Sequence, residues 1–240
     1  MFLIQNKILY ALVCIAFIVL PWHRPSSAEI GKVFFDQKVT IVPMLDSCQV
    51  DIDVDSNLTG IHCFRVKVDF DRSLIQLDSI VEGSLLNEHG ETFFYYKDTA
   101  GIYDIFNCII DPTNGFANGP GVLATMQFVA GNHPGITPLT FTYVLFQDTL
   151  LELIYWSYSN AWVIVCGPET YRFGDANKDG EINVSDVIYL INYLFIDGPE
   201  PVPLWIVGDV NCDIKVDVSD VVYLINYLFI NGPEPCNPCE

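Results

Sequence analysis

The sequence predicts a mainly β fold: an N-terminal antiparallel β-sandwich followed by a small α-helical domain of two loop–helix repeats. Three observations carry this. Apolar residues alternate with period two from about Glu29 to Val165, the spacing of half-buried strands. Gly174–Pro201 aligns without a gap to Gly208–Pro235, 34 residues on, with 20 of 28 positions identical, the mark of a duplicated supersecondary unit. The 240-residue chain is 51% hydrophobic although its formal net charge is −19, so it is no acidic disordered tail. That charge argues against nucleic acid or anionic membrane as partner, since both are bound through Lys and Arg. It suits cations.

The first residues read as an export signal. Lys7 gives a positive start, Ile8–Leu20 is an uncharged run of 13 residues, and Ser26 and Ala28 stand at −3 and −1 of a cleavage before Glu29. Residues 1–28 therefore form a secretory signal peptide, the other reading being an uncleaved anchor. The run is shorter than the about 20 residues of a membrane span, and no later segment is long and apolar enough. The protein is thus expected to be secreted or attached at the cell surface. Cleavage removes Lys7, Arg24 and Cys14 and no acid, leaving 30 acids, 9 bases and 7 Cys. Exported thiols oxidise, and an odd number leaves at least one free or paired between molecules.

Residues 29–166 form the sandwich domain. In Ile61–Asp71, His62, Phe64, Val66, Val68 and Phe70 share one face, and Arg65, Lys67 and Asp69 share the other. Similar runs are Lys38–Met44, Val50–Val54, Leu74–Val81, Thr92–Tyr96, Ile102–Ile110, Leu123–Val129, Leu139–Leu145 and Ala161–Val165. Turn-rich pieces at Asp55–Gly60, Asp111–Gly121 and Gly131–Pro138 separate them. Nine short strands with no helical stretch between them suggest a sandwich.

Residues 167–173 read as a linker and 174–240 as the second domain. Each repeat sets a polar loop before a helical pattern: Val187, Leu190, Ile191 and Leu194, then Val221, Leu224, Ile225 and Leu228, at the i, i+3, i+4, i+7 spacing of one helix face. Asn183 and Asp217 suit the N-cap, Asp186 and Asp220 the first turn. Gly198–Pro199 and Gly232–Pro233 stop the helices.

The loops carry the chemistry. From Asp175, oxygen-bearing side chains fall at positions 1, 3, 5, 9 and 12: Asp175, Asn177, Asp179, Asn183 and Asp186, with Gly180 at position 6 and the Glu181 carbonyl at position 7. This is EF-hand spacing, and it suits Ca²⁺, a hard cation that takes six to eight oxygens. The second loop gives Asp209, Asn211, Asp213, the Lys215 carbonyl, Asp217 and Asp220, but Ile214 stands where the first has Gly180. A β-branched residue in left-handed geometry costs about 1–2 kcal/mol, so the second of the two calcium sites is expected to be weaker or distorted. The bland reading of either loop is an Asx-rich turn capping a helix; recurrence at a fixed offset argues against it.

Tandem loop–helix units without an entering helix resemble a dockerin module over Gly174–Pro235. The resemblance implies one small domain with calcium in each unit. It also implies binding to cohesin modules through helix faces and loop positions 10 and 11, here Val184, Ser185, Val218 and Ser219, in two related orientations. The residues themselves add aromatics beyond the packing stripe, among them Tyr189, Tyr193, Tyr223 and Tyr227. These either form a partner surface or enlarge a small core. The N-terminal domain resembles a cohesin module through Phe70–Leu86 (FDRSLIQLDSIVEGSLL), Gly119–Val129 (GPGVLATMQFV) and Pro138–Phe141 (PLTF). That resemblance implies a nine-stranded jelly roll, close in fold to some carbohydrate-binding modules.

Cys212 lies in the second loop, and Cys236 and Cys239 follow the second helix. The preferred reading is a disulfide from Cys212 to one of the other two. A zinc site is the alternative and lacks a nearby His or fourth Cys. Cys48–Cys63 and Cys108–Cys166 remain open pairings, since connectivity is not readable from sequence. No catalytic constellation stands out. His62 reads as structural, and His89 and His133 as solvated. Glu82, Glu88 and Glu91 read as surface carboxylates, although a glycosidase would need such a pair. Trp156, Tyr155, Tyr158 and Trp162 cluster as core or sugar-stacking aromatics.

The expected protein is therefore a secreted, non-catalytic, calcium-binding adaptor. Its partners are cohesin- or dockerin-bearing proteins, in the setting of extracellular polysaccharide binding or degradation. The alternative is a carbohydrate-binding protein whose sandwich takes glycan and whose calcium module anchors it.

Overall fold

The computed structural model describes residues 30–110, 115–167 and 172–239. The expected signal peptide over 1–28, most of the expected linker and part of Asp111–Gly121 lie outside the described residues. No helix among the described residues is long and apolar enough to cross a membrane.

Two sheets form a sandwich. The first runs, edge to edge, β10 (Trp156–Ser159), β1 (Gly31–Phe35), β3 (Ser47–Val54), β8 (Gly121–Ala130) and β5 (Ile75–Glu82). The second runs β2 (Val39–Pro43), β11 (Ala161–Cys166), β9 (Gly135–Gln147), β4 (Cys63–Asp69), β7 (Ile102–Ile109) and β6 (Thr92–Thr99). Every run expected from alternation is a strand. The alternation sets the faces: Phe64, Val66 and Val68 are buried, whereas Arg65 and Lys67 are half-exposed. The sheets meet through apolar residues, as where the Phe35 ring of β1 stacks at 4.4 Å on Phe141 of β9.

Two strands exceed the expectation. In β1, Phe34 interrupts the polar face, and β10 is four residues long; neither shows a clean period of two. They find each other across more than 120 residues as a parallel pair, Gly31 opposite Trp156. A one-turn helix, α1 (Ser84–Asn87), also corrects the expectation that no helix interrupts the strands. Its N-cap, Gly83, is glycine because a Cβ there would clash with the Val122 carbonyl oxygen. Leu85 and Leu86 then bury themselves.

The second repeat region contains α2 (Val184–Phe195) and α3 (Val218–Ile230), with a 3₁₀ turn at Trp205–Gly208. Their core is built in equivalent pairs: Ala176 with Val210, Val187 with Val221, Leu190 with Leu224. Both expected N-caps form full capping boxes. Asn183 accepts from Ser185 N while Asp186 reaches back to Asn183 N, and Asp217, Ser219 and Asp220 do the same.

The helix stops work differently from the expectation. Asp197 and Asn231, both at φ 54°, take the left-handed position. Gly198 and Gly232 are needed because a Cβ on either would meet the carbonyl carbon of Asn192 or Asn226 at 2.8 Å. Tyr189 and Tyr223 then donate their hydroxyls to the carbonyls of Glu200 and Glu234, pinning each Gly-Pro-Glu-Pro segment to its helix.

The chain divides into two compact units. One takes in the residues through Thr40, Asp46–Ala130 and Thr137–Val163; the other takes in Ile41–Leu45, Gly131–Ile136 and Ile164 onward. Two features mark the second unit. Cys166, the last residue of β11, is disulfide-bonded to Cys239, and Phe173, expected in the linker, is 3% exposed.

The remaining disulfides are Cys63–Cys108 and Cys212–Cys236. The preferred bridge from Cys212 is therefore present. Cys48–Cys63 and Cys108–Cys166 are not: Cys63 and Cys108 stand directly opposite on β4 and β7. Cys48 is the free thiol among the described residues. Burial, with Asp46 nearby, pushes it up to about 11, so it is a poor nucleophile.

Candidate functional site

In each loop the carboxylates hold the backbone before any ion is considered. Asp175 accepts from Asp179 N at 3.0 Å and from Gly180 N at 2.9 Å. Asn177 accepts from Asp179 N, and Asp179 accepts from Glu181 N. Asp186, at the first turn of α2, closes the loop by accepting from Asn177 N and Asn183 N.

The second loop repeats the frame. Asp209 accepts from Asp213 N at 3.1 Å and Ile214 N at 2.8 Å. Asn211 and Asp213 accept as their counterparts do, and Asp220 accepts from Val210 N and Asp217 N. Ile214 does take the left-handed conformation, at φ 68°, where Gly180 has φ 92°. A Cβ built on Gly180 has nothing within 4 Å, whereas the Ile214 side chain at the matching position is half-buried. The expected distortion does not appear in the hydrogen bonds.

The donor chemistry fits a hard divalent cation. Asp175, Asp186, Asp209 and Asp220 are each at most 6% exposed, and no Lys or Arg is ion-paired with them among the described residues. Burial pushes the Asp209 carboxyl up to about 6, against the hydrogen bond from Ile214 N and with Asp220 repelling it. Burial likewise raises Asp186 and Asp220, partly offset by the backbone N–H groups they accept from. Buried carboxylates without counter-charge are costly. An all-oxygen set of this kind favours Ca²⁺ over Zn²⁺. Among the described residues no three His, Cys, Asp or Glu side chains already converge as a metal-holding group. Their oxygens accept backbone N–H groups and keep lone pairs free for a cation.

Of the expected partner-facing residues, Val184, Ser185, Val218 and Ser219 are exposed. Tyr189, Tyr193, Tyr223 and Tyr227 are half-buried, and the first and third give their hydroxyls to their own module. The sequence also sets Ile188, Phe195, Val222 and Phe229 off the packing stripe, and these are exposed in matched pairs: Ile188 and Val222 by 53% and 50%, Phe195 and Phe229 by 65% and 66%.

The sandwich has a second distinctive surface. Strand register lays the outer face of β6, β7, β4 and β9 in rows. One is Lys97, Asp104, Lys67, Tyr143; the next is Tyr95, Phe106, Arg65, Leu145; the third is Phe93 beside the Cys63–Cys108 disulfide. Arg65 grips Asp104 at 2.8 and 2.6 Å, and Lys67 lies 4.0 Å from it. Burial works to raise Asp104, but the Arg65 hydrogen bonds and the charges of Arg65, Lys67 and Lys97 outweigh it and hold the carboxyl below its ordinary value.

Glu82 accepts from Thr92 and Asn107. The Nδ1 atoms of His62 and His89 lie 2.8 and 2.9 Å from the carbonyl oxygens of Gly115 and Leu85. His133 is exposed.

Residues 173–229 match the dockerin type I domain. No curated protein matches the chain. Among solved structures, the chain is similar to a type I cohesin–dockerin complex from Clostridium thermocellum, at 17% identity over 60% of this chain and 99% of that one, with TM-score 0.50. It is also similar to a non-cellulosomal cohesin from Archaeoglobus fulgidus, at 13% identity over 59% and 94%, with TM-score 0.49.

Proposed function

From a chain that joins a cohesin-like sandwich to a dockerin type I module, we propose a secreted, non-catalytic adaptor that couples two partners through cohesin–dockerin-type contacts. Dockerin type I modules bind calcium, and both module types are interaction domains. In our reading two ions bind. Asp175, Asn177, Asp179, the Glu181 carbonyl, Asn183 and Asp186 hold the first; Asp209, Asn211, Asp213, the Lys215 carbonyl, Asp217 and Asp220 hold the second, more weakly. Calcium adds the counter-charge that the buried carboxylates lack and stiffens the loops that carry the helix N-termini. Val184, Ser185, Val218 and Ser219 then face a partner, beside the exposed apolar pairs of α2 and α3. The setting is extracellular polysaccharide binding or degradation.

The observation that carries this reading is the closely repeated hydrogen-bond frame of the two loops, each ending on a buried first-turn aspartate with no Lys or Arg ion-paired to it among the described residues. The test passes the whole chain over immobilised type I cohesin and type I dockerin panels, in calcium and in chelator. Calcium-dependent retention on a cohesin supports the proposal. No retention on any panel member, with binding on a glycan array instead, favours the carbohydrate-binding alternative; Tyr155 and Tyr158, about half exposed beside Trp156, are the residues that would stack on sugar.

A further inference from the structure

We infer that the two loops of the C-terminal module answer calcium differently. The first loop and the first turn of α2 are ordered by the ion, whereas the second loop and the first turn of α3 stay closed without it, held by Cys212–Cys236. This rests on the reading that the module is a calcium-binding docking element, and it adds how each end of that element is regulated.

The repeats serve as controls for each other. Residues 175–186 and 209–220 each carry four acids and one Lys, so without a cation the carboxylates push both loops open alike. The end carboxylates are equally buried: Asp175 and Asp186 are 6% and 0% exposed, Asp209 and Asp220 2% and 0%. The capping boxes match. Backbone closure matches too. Val202 N donates to the Ala176 carbonyl at 3.1 Å, and Cys236 N, 34 residues on, donates to the Val210 carbonyl at 2.9 Å. Lys178 and Cys212 share the left-handed conformation, at φ 60° and 58°.

The cross-link sets them apart. Cys212 stands at loop position 4 and Cys236 follows α3; at the same places the first repeat has Lys178 and Val202. The Cys212–Cys236 disulfide thus fixes covalently what the first repeat closes with a backbone hydrogen bond. The segment that carries Cys236 is anchored again three residues on, by Cys166–Cys239. The first loop has its own brace, the Arg172 guanidinium donating to the Gly180 carbonyl, but an exposed hydrogen bond contributes far less than a cross-link. Cys212 lies two residues short of Ile214, so the ion still has that left-handed residue to fix. The second loop can therefore be braced and yet bind calcium more weakly.

The consequence falls on the proposed partner face. Val184 and Ser185 begin α2 at the end of the first loop, and Val218 and Ser219 begin α3 at the end of the second. Leu190 and Leu224 are fully buried in one shared core, which keeps both helices packed. What calcium switches is the first turn of α2, and what it leaves standing is the first turn of α3.

The test is backbone hydrogen exchange on the whole oxidised chain, in calcium and in chelator, followed over residues 177–187 and 211–221. Removing calcium should cut protection of the first segment about a hundredfold more than that of the second, the factor a cross-link of this span confers on a local opening. Cys212→Ser with Cys236→Ser should make both segments lose protection alike. Moving the staple gives a second reading. Lys178→Cys with Val202→Cys should form the matching bridge, which in the second repeat spans 5.9 Å between Cα atoms, and should keep 177–187 protected in chelator. Equal loss in both segments of the wild type, or a transplanted bridge that forms without protecting the first loop, overturns the inference. Passing the same samples over immobilised type I cohesins separates it from the docking role. Retention on none of them, with the exchange difference present, refutes docking and leaves this inference standing.

Discussion

Replacing Ile214 with Gly isolates one backbone strain. Ile214 sits at φ 68°, which costs a β-branched residue about 1–2 kcal/mol. Glycine gives back about 0.5–1 kcal/mol through the freedom it adds to the unfolded chain. The net gain is therefore about 0.5–1 kcal/mol, or roughly two- to fivefold in an equilibrium constant.

Where that gain appears depends on what holds the calcium-free loop. If the free loop relaxes, calcium must pull Ile214 into place, and Ile214→Gly tightens the weaker ion. If Cys212–Cys236 already holds the loop, two residues away, the gain appears as a higher melting temperature in chelator. Calorimetric titration of the whole chain and melts with and without calcium read both. Gly180→Ile should cost the first loop about 1 kcal/mol by the same reasoning. Two equally tight sites in the wild type, or an Ile214→Gly chain unchanged in both affinity and melting temperature, would refute the argument.

Three further expectations follow from the geometry. Arg65→Ala leaves Asp104, whose side chain is 5% exposed, with Lys67 and Lys97 but no hydrogen-bonded base; breaking such a pair should cost about 2–3 kcal/mol, measured by urea unfolding, with Asp104→Asn in the same background restoring part of it. Because Asp104 is held below its ordinary carboxylate value, it contributes stability that is full above about pH 4. That stability is lost as pH falls through its lowered folded value, so the Asp104→Asn difference should shrink in acid and a constant difference would refute the assignment. Changing Cys212 and Cys236 together to Ser opens a loop with sequence separation 24 and should cost about 3 kcal/mol, seen as an earlier melt of the helical signal in chelator.

Much of the site was legible because its determinants are local. Loop ligands, caps and helix stripes lie within about a dozen residues of each other, and Asn183 with Asp186 closes a capping box whatever surrounds it. The nine alternating runs became strands for the same reason. Glycine at the helix stops was readable as punctuation, but its role was not. Asp197 and Asn231 carry the positive φ, and the glycines serve a close approach visible only in three dimensions. For Tyr189 and Tyr223 the sequence left partner surface and core open; that their hydroxyls reach the Glu200 and Glu234 carbonyls is visible only in the fold.

By itself the sequence determined the two fold classes, the duplication and the ordered Asp and Asn positions of each loop, since these follow from periodicity and from short-range hydrogen bonding. Tertiary structure alone decided which cysteines pair, which strand edge β10 joins and which bases share a face. Those outcomes depend on register between strands far apart in the chain, and register is chosen by the packing of whole faces, which no local pattern contains.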